Sequence, residues 1–377
     1  MIKIQLSNEI LHRITAIDRN RFSLSTIKLS PSVYNKLRKN SKRKSTYASN
    51  KIEGNPLTED QVEKALEKDS HQHFLKPEQE VRNYFMALNY LENQCKKNTV
   101  FSKQLILDVQ KIVEKGAPKE KIGFRGATPP GVLFAVYDGT NGEIDYIPPE
   151  YIDIPDLIDE LVAYVNNTDD HPLIVAAVVH YQLVTIHPFE DGNGRTARLL
   201  SGYILDREGY GFNGAGSLEE YFAYDSDEYY RSLQMGLPPL YYSGRNDPPH
   251  PEIWINYFLR MMELYSAKVY EISRNAENEE VYAGLSYLSK KEKEFLCFLL
   301  ENHLYEFTPL EVGKMLNVTN WTVINRCTRL VNNGFIVPNL VKERIRSYKL
   351  SDMTRENNEM ILQSANGKLK DENTSVK

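Results

Sequence analysis

Apolar residues recur at intervals of three and four over most of the chain, and this spacing predicts a mainly α-helical protein. In the first hundred residues, a basic amphipathic run follows Ser30 and an apolar stripe extends from Glu78 to Cys95. Thr58 and Gln61 stand where the N-cap and the capping-box residue of another helix belong. Residues 1–100 are therefore predicted to form an N-terminal helical region.

The pattern changes between residues 132 and 147, where β-favouring residues replace the helical spacing. A run from Val132 to Tyr137 is followed by the turn sequence Asp138-Gly-Thr-Asn-Gly142 and by a second run from Glu143 to Ile147. Two glycine-containing turn dipeptides between such runs are typical of a β-hairpin. We therefore expect a hairpin over residues 134–146, with helices resuming after it.

The segment from His171 to Ile186 is apolar on nearly every face. A helix without a polar face belongs in the centre of a domain. Pro188 ends this helix, and another helix is predicted from Arg195 to about Arg207. A polar, glycine-containing loop is therefore expected between two helices, one of which is the buried central helix.

The C-terminal part of the chain has the pattern of a winged helix-turn-helix. A helix is predicted from Ser289 to His303, a second starts at Thr308-Pro-Leu-Glu311 with a capping box, and a third covers Asn320 to Asn333. Residues 335–350 are interpreted as two strands around Asn339. The chain thus divides into an N-terminal helical region (1–100), a core (101–275), a polar linker (276–288), a winged helix-turn-helix (289–351) and a disordered tail (352–377).

Composition excludes several classes of protein. The chain has 46 Lys and Arg against 51 Asp and Glu, so its formal net charge of -5 disfavours global binding to nucleic acid or to an anionic membrane. Three widely spaced cysteines without a CxxC pair argue against disulfide scaffolding and favour a reducing compartment. No signal peptide or apolar run of membrane-spanning length is present in the sequence, so we expect a cytoplasmic protein without membrane contact.

The loop after the central helix concentrates groups that suit phosphate chemistry. His187 offers a base, and Asp191 offers a hard anionic oxygen ligand. The backbone N–H groups of Gly192-Asn193-Gly194, together with the start of the next helix, can form an anion-binding nest. Arg195 and Arg198 are three residues apart, so both guanidinium groups can reach one anion. This combination favours transfer of a phosphate group from a nucleotide.

The stretch from His187 to Arg198 resembles the Fic motif, His-x-Phe-x-(Asp/Glu)-Gly-Asn-Gly-Arg-x-x-Arg, and meets each of its fixed positions. The resemblance implies a Fic-type helical bundle that transfers AMP from ATP to a Tyr, Ser or Thr hydroxyl of a target protein. It implies that His187 is the catalytic base, that Phe189 anchors the loop and that Asp191 binds Mg²⁺. The nucleotide would be held by Gly192, Asn193, Gly194, Arg195, Thr196, Ala197 and Arg198.

The resemblance extends upstream of the motif. Fic domains carry a β-hairpin flap that pairs with an extended target segment, and residues 134–146 occupy that place, preceded by Gly123-Phe-Arg125. Ser49-Asn-Lys-Ile-Glu53-Gly54-Asn55 resembles the family's inhibitory helix, Ser/Thr-x-x-x-Glu-Gly/Asn. The resemblance implies that Ser49 and Glu53 act together with Arg198, because the Glu53 carboxylate would take the place of the γ-phosphate.

Downstream of the motif the match is looser. Family members often have Tyr, an Asn-Arg pair and Tyr-Tyr near the nucleotide base, which here corresponds to Tyr221 through Tyr230, with Asp225 where Asn is expected. The resemblance places Asp225 and Tyr230 at the nucleotide. Gly209-Tyr-Gly-Phe-Asn-Gly214 spells GxGxxG but follows a helix and opens no βαβ unit, so it is rejected as a dinucleotide site.

Several alternatives stay open. A DNA-binding regulator whose Fic domain only senses nucleotide would use residues 286–350, which carry 10 Lys and Arg against 6 Asp and Glu. The same region could instead bind a protein, and self-association into a homodimer is also left open. A further alternative keeps the fold but transfers phosphate or another nucleotide. The retained Gly194 argues against phosphorylation, because family kinases typically alter the Gly-Asn-Gly sequence.

Overall fold

A computed structural model describes residues 2–69, 74–118, 121–137, 142–238, 248–341 and 343–365. The chain divides into two compact units. Unit 1 comprises Met1–Leu24 and Tyr34–Tyr270, and unit 2 comprises Ser25–Val33 and Glu271–Lys377. The described residues are mainly helical, in agreement with the class predicted from the apolar spacing.

Helices predominate in both halves of the chain, and the strands are short. The N-terminal half contains α1 (Asn8–Thr26), α2 (Pro31–Ile52), α3 (Glu59–Glu67), α4 (Lys76–Lys96), α5 (Lys103–Val113), β1 (Val136–Tyr137), β2 (Ile144–Tyr146), α6 (Ile154–Asn167) and α7 (Pro172–Ile186). The second half contains α8 (Asn193–Arg207), α9 (Glu219–Tyr224), α10 (Ser226–Gln234), α11 (Pro251–Ser286), α12 (Lys290–Glu301), β3 (Glu306–Phe307), α13 (Pro309–Leu316), α14 (Asn320–Asn332), β4 (Ile336–Val341), β5 (Arg344–Leu350), α15 (Asp352–Glu356) and α16 (Asn358–Ala365).

Helix α7 is the centre of unit 1, as its apolar sequence predicted. Nearly every residue from Leu173 to Ile186 is buried; α6 and α8 pack directly on α7, and α4 and α5 pack on α8. Two side chains from other helices donate hydrogen bonds to backbone carbonyl groups of α7. Ser201 Oγ donates to Ala176 O at 3.0 Å, and the buried Trp254 indole donates to Ala177 O at 2.8 Å. The residues that follow α7 therefore start from a fixed, fully packed helix.

The predicted hairpin is present but short. Strands β1 and β2 pair antiparallel, with Val136 opposite Tyr146 and Tyr137 opposite Ile144. Residues 138–141, the predicted turn, lie outside the described residues. The Tyr146 hydroxyl donates to the backbone carbonyl of Thr185 near the end of α7. The hairpin is thus tied to the helix that leads into the motif.

Unit 2 contains the helices and the ribbon in the predicted order. Helices α12, α13 and α14 are followed by β4 and β5, and β3 joins them in an antiparallel sheet of order β3-β5-β4. β4 extends to Val341 and β5 begins at Arg344, so Asn339 does not separate the two strands; it lies inside β4 opposite Ser347. Assignment to the winged-helix class stays a prediction.

Two predictions of irregular structure were wrong. The linker predicted at residues 276–288 is helical over most of its length, because residues 276–286 are the last turns of α11. Their polar composition is compatible with a helix because Val281 and Leu285 reach the apolar core of unit 2. The tail predicted as disordered from residue 352 begins with α15 and α16, where Ile361 is fully buried. Residues 366–377 lie outside the described residues.

The structure bears on the predicted absence of disulfide bonds and of membrane-spanning helices. Cys95, Cys297 and Cys327 are free thiols. Burial raises the pKa of Cys327 to about 12, so this thiol is a poor nucleophile near neutral pH. Within the part of the chain that the structure describes, none of the helices combines the length and apolarity needed to cross a membrane.

The capping box of α13 yields a stability prediction. Glu311 N–H donates to the Thr308 hydroxyl, and Thr308 N–H donates to the Glu311 carboxylate. We expect Thr308→Ala to destabilise α13 by about 1 kcal/mol, which speeds its amide exchange roughly fivefold. Hydrogen exchange of peptides covering Pro309–Leu316 measures this. Thr328→Ala, at an exposed position of α14, is the control, and equal exchange in the two variants would contradict the prediction.

Candidate active site

His187 immediately follows α7 and has a left-handed backbone, with φ 49° and ψ 56°. Its N–H donates to Leu183 O at 3.1 Å, so the residue closes the helix. The side-chain Nδ1 lies 3.3 Å from Val184 O. Because a carbonyl oxygen only accepts, Nδ1 must carry the proton, which leaves the Nε2 lone pair available as a base.

The surroundings of His187 keep the imidazole neutral. Burial lowers the pKa of His187 to about 4, and the Arg125 guanidinium acts in the same direction. Arg125 is itself held in place, since its Nε donates to His187 O at 2.9 Å and its guanidinium lies 4.4 Å from the centre of the Phe134 ring. Phe134 also stands 6.2 Å from the imidazole, centre to centre. A neutral His187 can accept a proton at physiological pH.

The loop after His187 is anchored from inside the protein. Phe189 is fully buried and stacks on Phe124, with ring centres 5.7 Å apart. The Asn193 side chain donates to Phe189 O at 2.9 Å and accepts from Phe189 N at 3.0 Å. Asn193 therefore fixes the shape of the loop through its side chain. The nucleotide contact that the motif implies for Asn193 stays a prediction.

Asp191 and Arg195 form an ion pair that includes a third residue. Arg195 Nη2 lies 3.1 Å from Asp191 Oδ1 and 3.0 Å from Glu114 Oε1. Glu114 and Arg195 are both largely buried, whereas Asp191 is half exposed. Gly192 has φ 79°, and a Cβ there would lie 2.7 Å from Glu114 Oε1. The Glu114 carboxylate thus packs directly under the turn that presents Asp191.

Arg198 is enclosed by the segment that resembles the inhibitory helix. Its guanidinium donates to Glu53 Oε1 at 2.6 Å, to Ser49 Oγ at 2.8 Å and to Ser49 O at 3.0 Å. Burial disfavours the charge of Arg198, but the neighbouring Glu53 carboxylate outweighs this and raises the pKa of Arg198. The three residues predicted to act together are therefore in contact, at the C-terminal end of α2.

A cavity of about 150 Å³, which we call the active-site cavity, is lined by His187 and Arg198 but not by Asp191 or Arg195. Glu53 lies at its edge against Gly194, where a Cβ atom would overlap Glu53 Oε1. Arg198 and His187 line the cavity, as does Val136 of the hairpin. The predicted base, the predicted inhibitory carboxylate and the hairpin thus share one cavity.

Of the other residues predicted to contact the nucleotide, some line the active-site cavity and others do not. Tyr230 lines the active-site cavity, and its hydroxyl donates to Ile52 O at 3.4 Å. Asp225 is exposed, is not part of the cavity lining, and caps α10 by accepting from Glu228 N at 2.8 Å. Thr196 and Ala197 are fully buried in the first turn of α8, so their side chains do not face the cavity.

Three residues of the site had no role predicted from the sequence. Glu114 is the buried partner of Arg195, and Arg125 holds the backbone of His187. The Tyr229 hydroxyl lies 3.4 Å from Arg198 Nη1 and 2.8 Å from Nε2 of the buried His180. Arg125 and Tyr229 stand in segments already noted as similar to the family. Glu114, at the C-terminal end of a helix, carried no sequence signal.

The state of His187 can be measured directly. We expect the NMR titration of its imidazole to have a midpoint near pH 4, well below the ordinary value of about 6.5. Burial disfavours the charged form, so the ring is neutral above this midpoint and becomes protonated only as the pH falls through it. The His187→Gln variant assigns the signal. A midpoint at or above 6.5 would show that the ring is not desolvated.

Comparison with known proteins agrees with this geometry. Residues 100–205 match the Fic/DOC family model. A protein adenylyltransferase Fic of Drosophila mojavensis is 30% identical over 218 residues, which cover 55% of this chain and 40% of that protein. The corresponding protein of Drosophila virilis is 30% identical over 209 residues, with 52% and 40% covered. The match thus spans about two fifths of the length of these curated relatives.

Solved structures show the same fold. A Fic family protein from Desulfovibrio desulfuricans G20 aligns over 93% of this chain and 98% of its own, with a TM-score of 0.58 and 18% identity. Fic-1 from C. elegans aligns over 71% of this chain and 72% of its own, with a TM-score of 0.54 and 23% identity. With the matched motif and the assembled loop, these findings show that residues 100–205 of this chain form a Fic/DOC family domain.

Proposed function

We propose that this protein transfers AMP from ATP to a Tyr, Ser or Thr hydroxyl of a target protein, and that Glu53 inhibits the transfer. The observation that carries the proposal is the position of the Glu53–Arg198 ion pair, in the same cavity as a neutral His187. The names of the Drosophila relatives support a nucleotidyltransferase activity. Because those relatives are matched over only part of their length, substrate and target belong to the proposal.

The proposed reaction is a displacement at the α-phosphorus of ATP. His187 Nε2 removes the proton of the target hydroxyl, the hydroxyl oxygen bonds to the α-phosphorus, and the bond to pyrophosphate breaks. The backbone N–H groups at the start of α8 face the phosphates, where the positive end of the helix dipole favours anions. Arg198 supplies a buried positive charge for the terminal phosphate. The protein's main contribution is positioning and charge stabilisation.

The residues present fit Mg²⁺. Both hydrogen bonds to the Asp191 carboxylate, from Gly192 N and Arg195, go to Oδ1, so Oδ2 has no partner among the described residues. The side chain is 48% exposed, which leaves it accessible to a hydrated ion. Mg²⁺ is commonly held by one or two carboxylates together with substrate phosphates. When bound, it would neutralise part of the phosphate charge.

Glu53 inhibits by charge competition in this proposal. Its carboxylate takes the place that a phosphate would need beside Arg198, and it lies directly over Gly194. In a partly desolvated site, a carboxylate and a phosphate that share one guanidinium repel each other strongly. ATP would therefore bind with its phosphates displaced, so that the α-phosphorus is not aligned with the attacking oxygen. Movement of the end of α2 would restore the alignment.

The target segment is proposed to bind along the flap of residues 134–146. Val136 and Tyr146 pair with each other and both line the active-site cavity. An extended segment that adds to this short ribbon would run past His187, which brings its hydroxyl to the base. The hairpin is only two to three residues long on each side, so an added strand would extend a small sheet.

A DNA-binding regulator that only senses nucleotide is the competing proposal. In α14, Asn325 and Arg329 are exposed as DNA binding requires, whereas Arg326 stacks over Phe295 at 5.6 Å. Arg344 and Arg346 are exposed on β5, and Lys342 lies outside the described residues. The neutral His187 with a free Nε2 favours the enzyme, because nucleotide sensing alone does not need a base.

The first functional prediction concerns AMP transfer. We expect Glu53→Gly and Glu53→Gln to raise the rate on the order of tenfold or more, because removing the carboxylate frees Arg198 for phosphate. We expect His187→Ala to lower the rate at least ~10²-fold, since it removes the base. Intact-mass measurement with ATP and Mg²⁺ detects AMP added to the protein itself or to a target. Lysate labelling with tagged ATP by Glu53→Gly identifies the targets.

Glu150→Gln is the matched control, because it removes an exposed carboxylate remote in sequence from the motif. This variant should behave as wild type. If the Glu53 and His187 variants also matched wild type, AMP transfer would not be the activity of this site.

The second functional prediction concerns removal of AMP. Glu53 could orient water against the phosphodiester of a modified side chain, so that hydrolysis returns AMP and a free hydroxyl. Incubating modified target with wild type and with Glu53→Gly compares the two proteins. We expect loss of AMP with wild type and at least a tenfold slower loss with the variant, as for removal of a water-orienting group. Equal rates would restrict Glu53 to inhibition.

A further inference from the structure

His180 lies in the middle of α7, and its side chain is completely buried. Aromatic rings surround the imidazole, with ring centres at 4.9 Å for Trp254, 5.6 Å for Phe222 and 6.3 Å for Phe258. A polar ring in such surroundings costs free energy unless it makes hydrogen bonds. A phenyl ring would fill this space without that cost, so packing alone does not account for the imidazole.

The imidazole of His180 is neutral, and its surroundings decide which nitrogen carries the single proton. Burial, together with the neighbouring Arg198, holds the pKa of His180 well below its usual range. Nε2 lies 2.8 Å from the Tyr229 hydroxyl, whereas Nδ1 is buried and has no partner among the described residues. A proton on Nδ1 would therefore lack an acceptor, and buried N–H groups without an acceptor are rarer in proteins than acceptors without a donor. The proton is thus placed on Nε2, which donates to Tyr229.

The hydroxyl of Tyr229 can accept two hydrogen bonds and donate one. Arg198 Nη1 lies 3.4 Å from the hydroxyl oxygen and can only donate. Since His180 Nε2 donates as well, both described partners of the hydroxyl are donors, and its own proton remains available. The positive charge of Arg198 turns this proton away from the guanidinium and favours an anionic acceptor.

Tyr229, on α10, lines the active-site cavity together with Arg198, Gly194 and Glu53. Burial raises the pKa of Tyr229, Arg198 opposes this shift, and the Glu53 carboxylate adds to it. The hydroxyl is therefore close enough to interact with an anion beside Arg198. The ring of Tyr229 is buried and packs 5.4 Å from that of Phe222, centre to centre, so the hydroxyl is held in this position.

We propose that the Tyr229 hydroxyl donates a hydrogen bond to the terminal phosphate of bound ATP, and that His180 is the positioning residue that directs this hydroxyl. The assignment rests on the proposed function, in which the terminal phosphate takes the place of Glu53 beside Arg198. A hydrogen bond to a phosphate oxygen is charge-assisted and stronger than one between neutral groups. Because His180 fixes the hydroxyl before ATP binds, less conformational freedom is lost on binding.

The proposed contact distinguishes nucleotides by their phosphates. AMP has no terminal phosphate that could reach the place beside Arg198, so its binding would not involve Tyr229. ATP would lose one charge-assisted hydrogen bond without the hydroxyl. Loss of the contact should therefore weaken binding of ATP selectively, whereas a general disturbance of the fold would weaken binding of both nucleotides.

Nitrogen NMR of the isotopically labelled full chain tests the tautomer, because the shift of an imidazole nitrogen shows whether it carries a proton. We expect a proton on Nε2 of His180 and none on Nδ1 at neutral pH, with the signals assigned from the His180→Gln variant. A proton on Nδ1 would overturn the proposal, because Tyr229 would then donate to His180 and not into the cavity. This measurement needs neither nucleotide nor enzyme activity.

Nucleotide binding tests the contact with the phosphate. Isothermal titration calorimetry with Mg²⁺ compares α,β-methylene-ATP, which cannot transfer AMP, with AMP. The full chain carrying Glu53→Gly serves as the background, since it lacks the competing carboxylate. In this background we expect Tyr229→Phe to weaken binding of the ATP analogue about tenfold and to leave AMP binding unchanged. Tyr224→Phe, which removes an exposed hydroxyl outside the cavity lining, is the matched control and should bind both nucleotides as the background does.

Variants at His180 test its action through Tyr229. His180→Phe suits the aromatic surroundings but lacks the donor, and we expect it to weaken binding of the ATP analogue about threefold without affecting AMP. His180→Gln keeps an N–H group that can replace Nε2–H and should bind the analogue as the background does. When Tyr229→Phe is already present, His180→Phe should cause no further loss, because the two residues act as one unit.

Equal binding of the ATP analogue by Tyr229→Phe and its background would overturn the proposal, and so would an equal loss of AMP binding. Additive losses from His180→Phe and Tyr229→Phe would reject the positioning role of His180. If His180→Phe does not fold, the tautomer and Tyr229→Phe still decide. Selective loss of analogue binding in Tyr229→Phe, without AMP transfer by any variant, would reject only the proposed transfer. AMP transfer by Glu53→Gly with unaltered binding in Tyr229→Phe would reject only this contact.

Discussion

The guanidinium of Arg198 is almost completely buried in unit 1, and a buried positive charge requires a negative partner. In this structure the partner is Glu53, supported by the hydroxyl and carbonyl groups of Ser49. Removing one member of a buried ion pair commonly costs about 3–5 kcal/mol. In the proposed function, the same requirement that fastens the end of α2 to the core makes Arg198 a receptor for phosphate. Inhibition and nucleotide binding would then be two ways of satisfying one charge.

The geometry of the rest of the site depends on the packing of α7 and on the anchoring of the loop that follows it. Helix α7 is packed on nearly every side, so His187 begins from a fixed position, and its left-handed backbone turns the chain into the loop. Hydrogen bonds between Asn193 and Phe189 fix the loop internally, and the Glu114 carboxylate holds it through Arg195. Several motif residues therefore hold the loop in shape through contacts within the protein. A sequence motif can encode the shape of a loop as much as its contacts.

Sequence alone predicted the features that depend on local physics. The capping boxes at Thr58 and Thr308, the buried central helix and the hairpin all follow from short-range patterns, and each is present. It could not predict Glu114, because a helix-terminal acid 81 positions before Arg195 carries no local sign of its partner. The error over residues 276–286 has a related cause. Two apolar residues among many polar ones suffice to keep a helix when a core lies within reach.

The position of Gly194 constrains how such a protein can evolve. Its missing side chain lets the Glu53 carboxylate lie against the backbone, and the same bare surface is where the phosphates of a nucleotide would approach. In the proposed function, a larger residue at Gly194 would crowd the Glu53 carboxylate and the nucleotide phosphates alike. Substitution at Gly194 would then impair AMP transfer together with inhibition. Substitutions between Ser49 and Glu53 would alter inhibition alone, so this segment could vary independently of the motif.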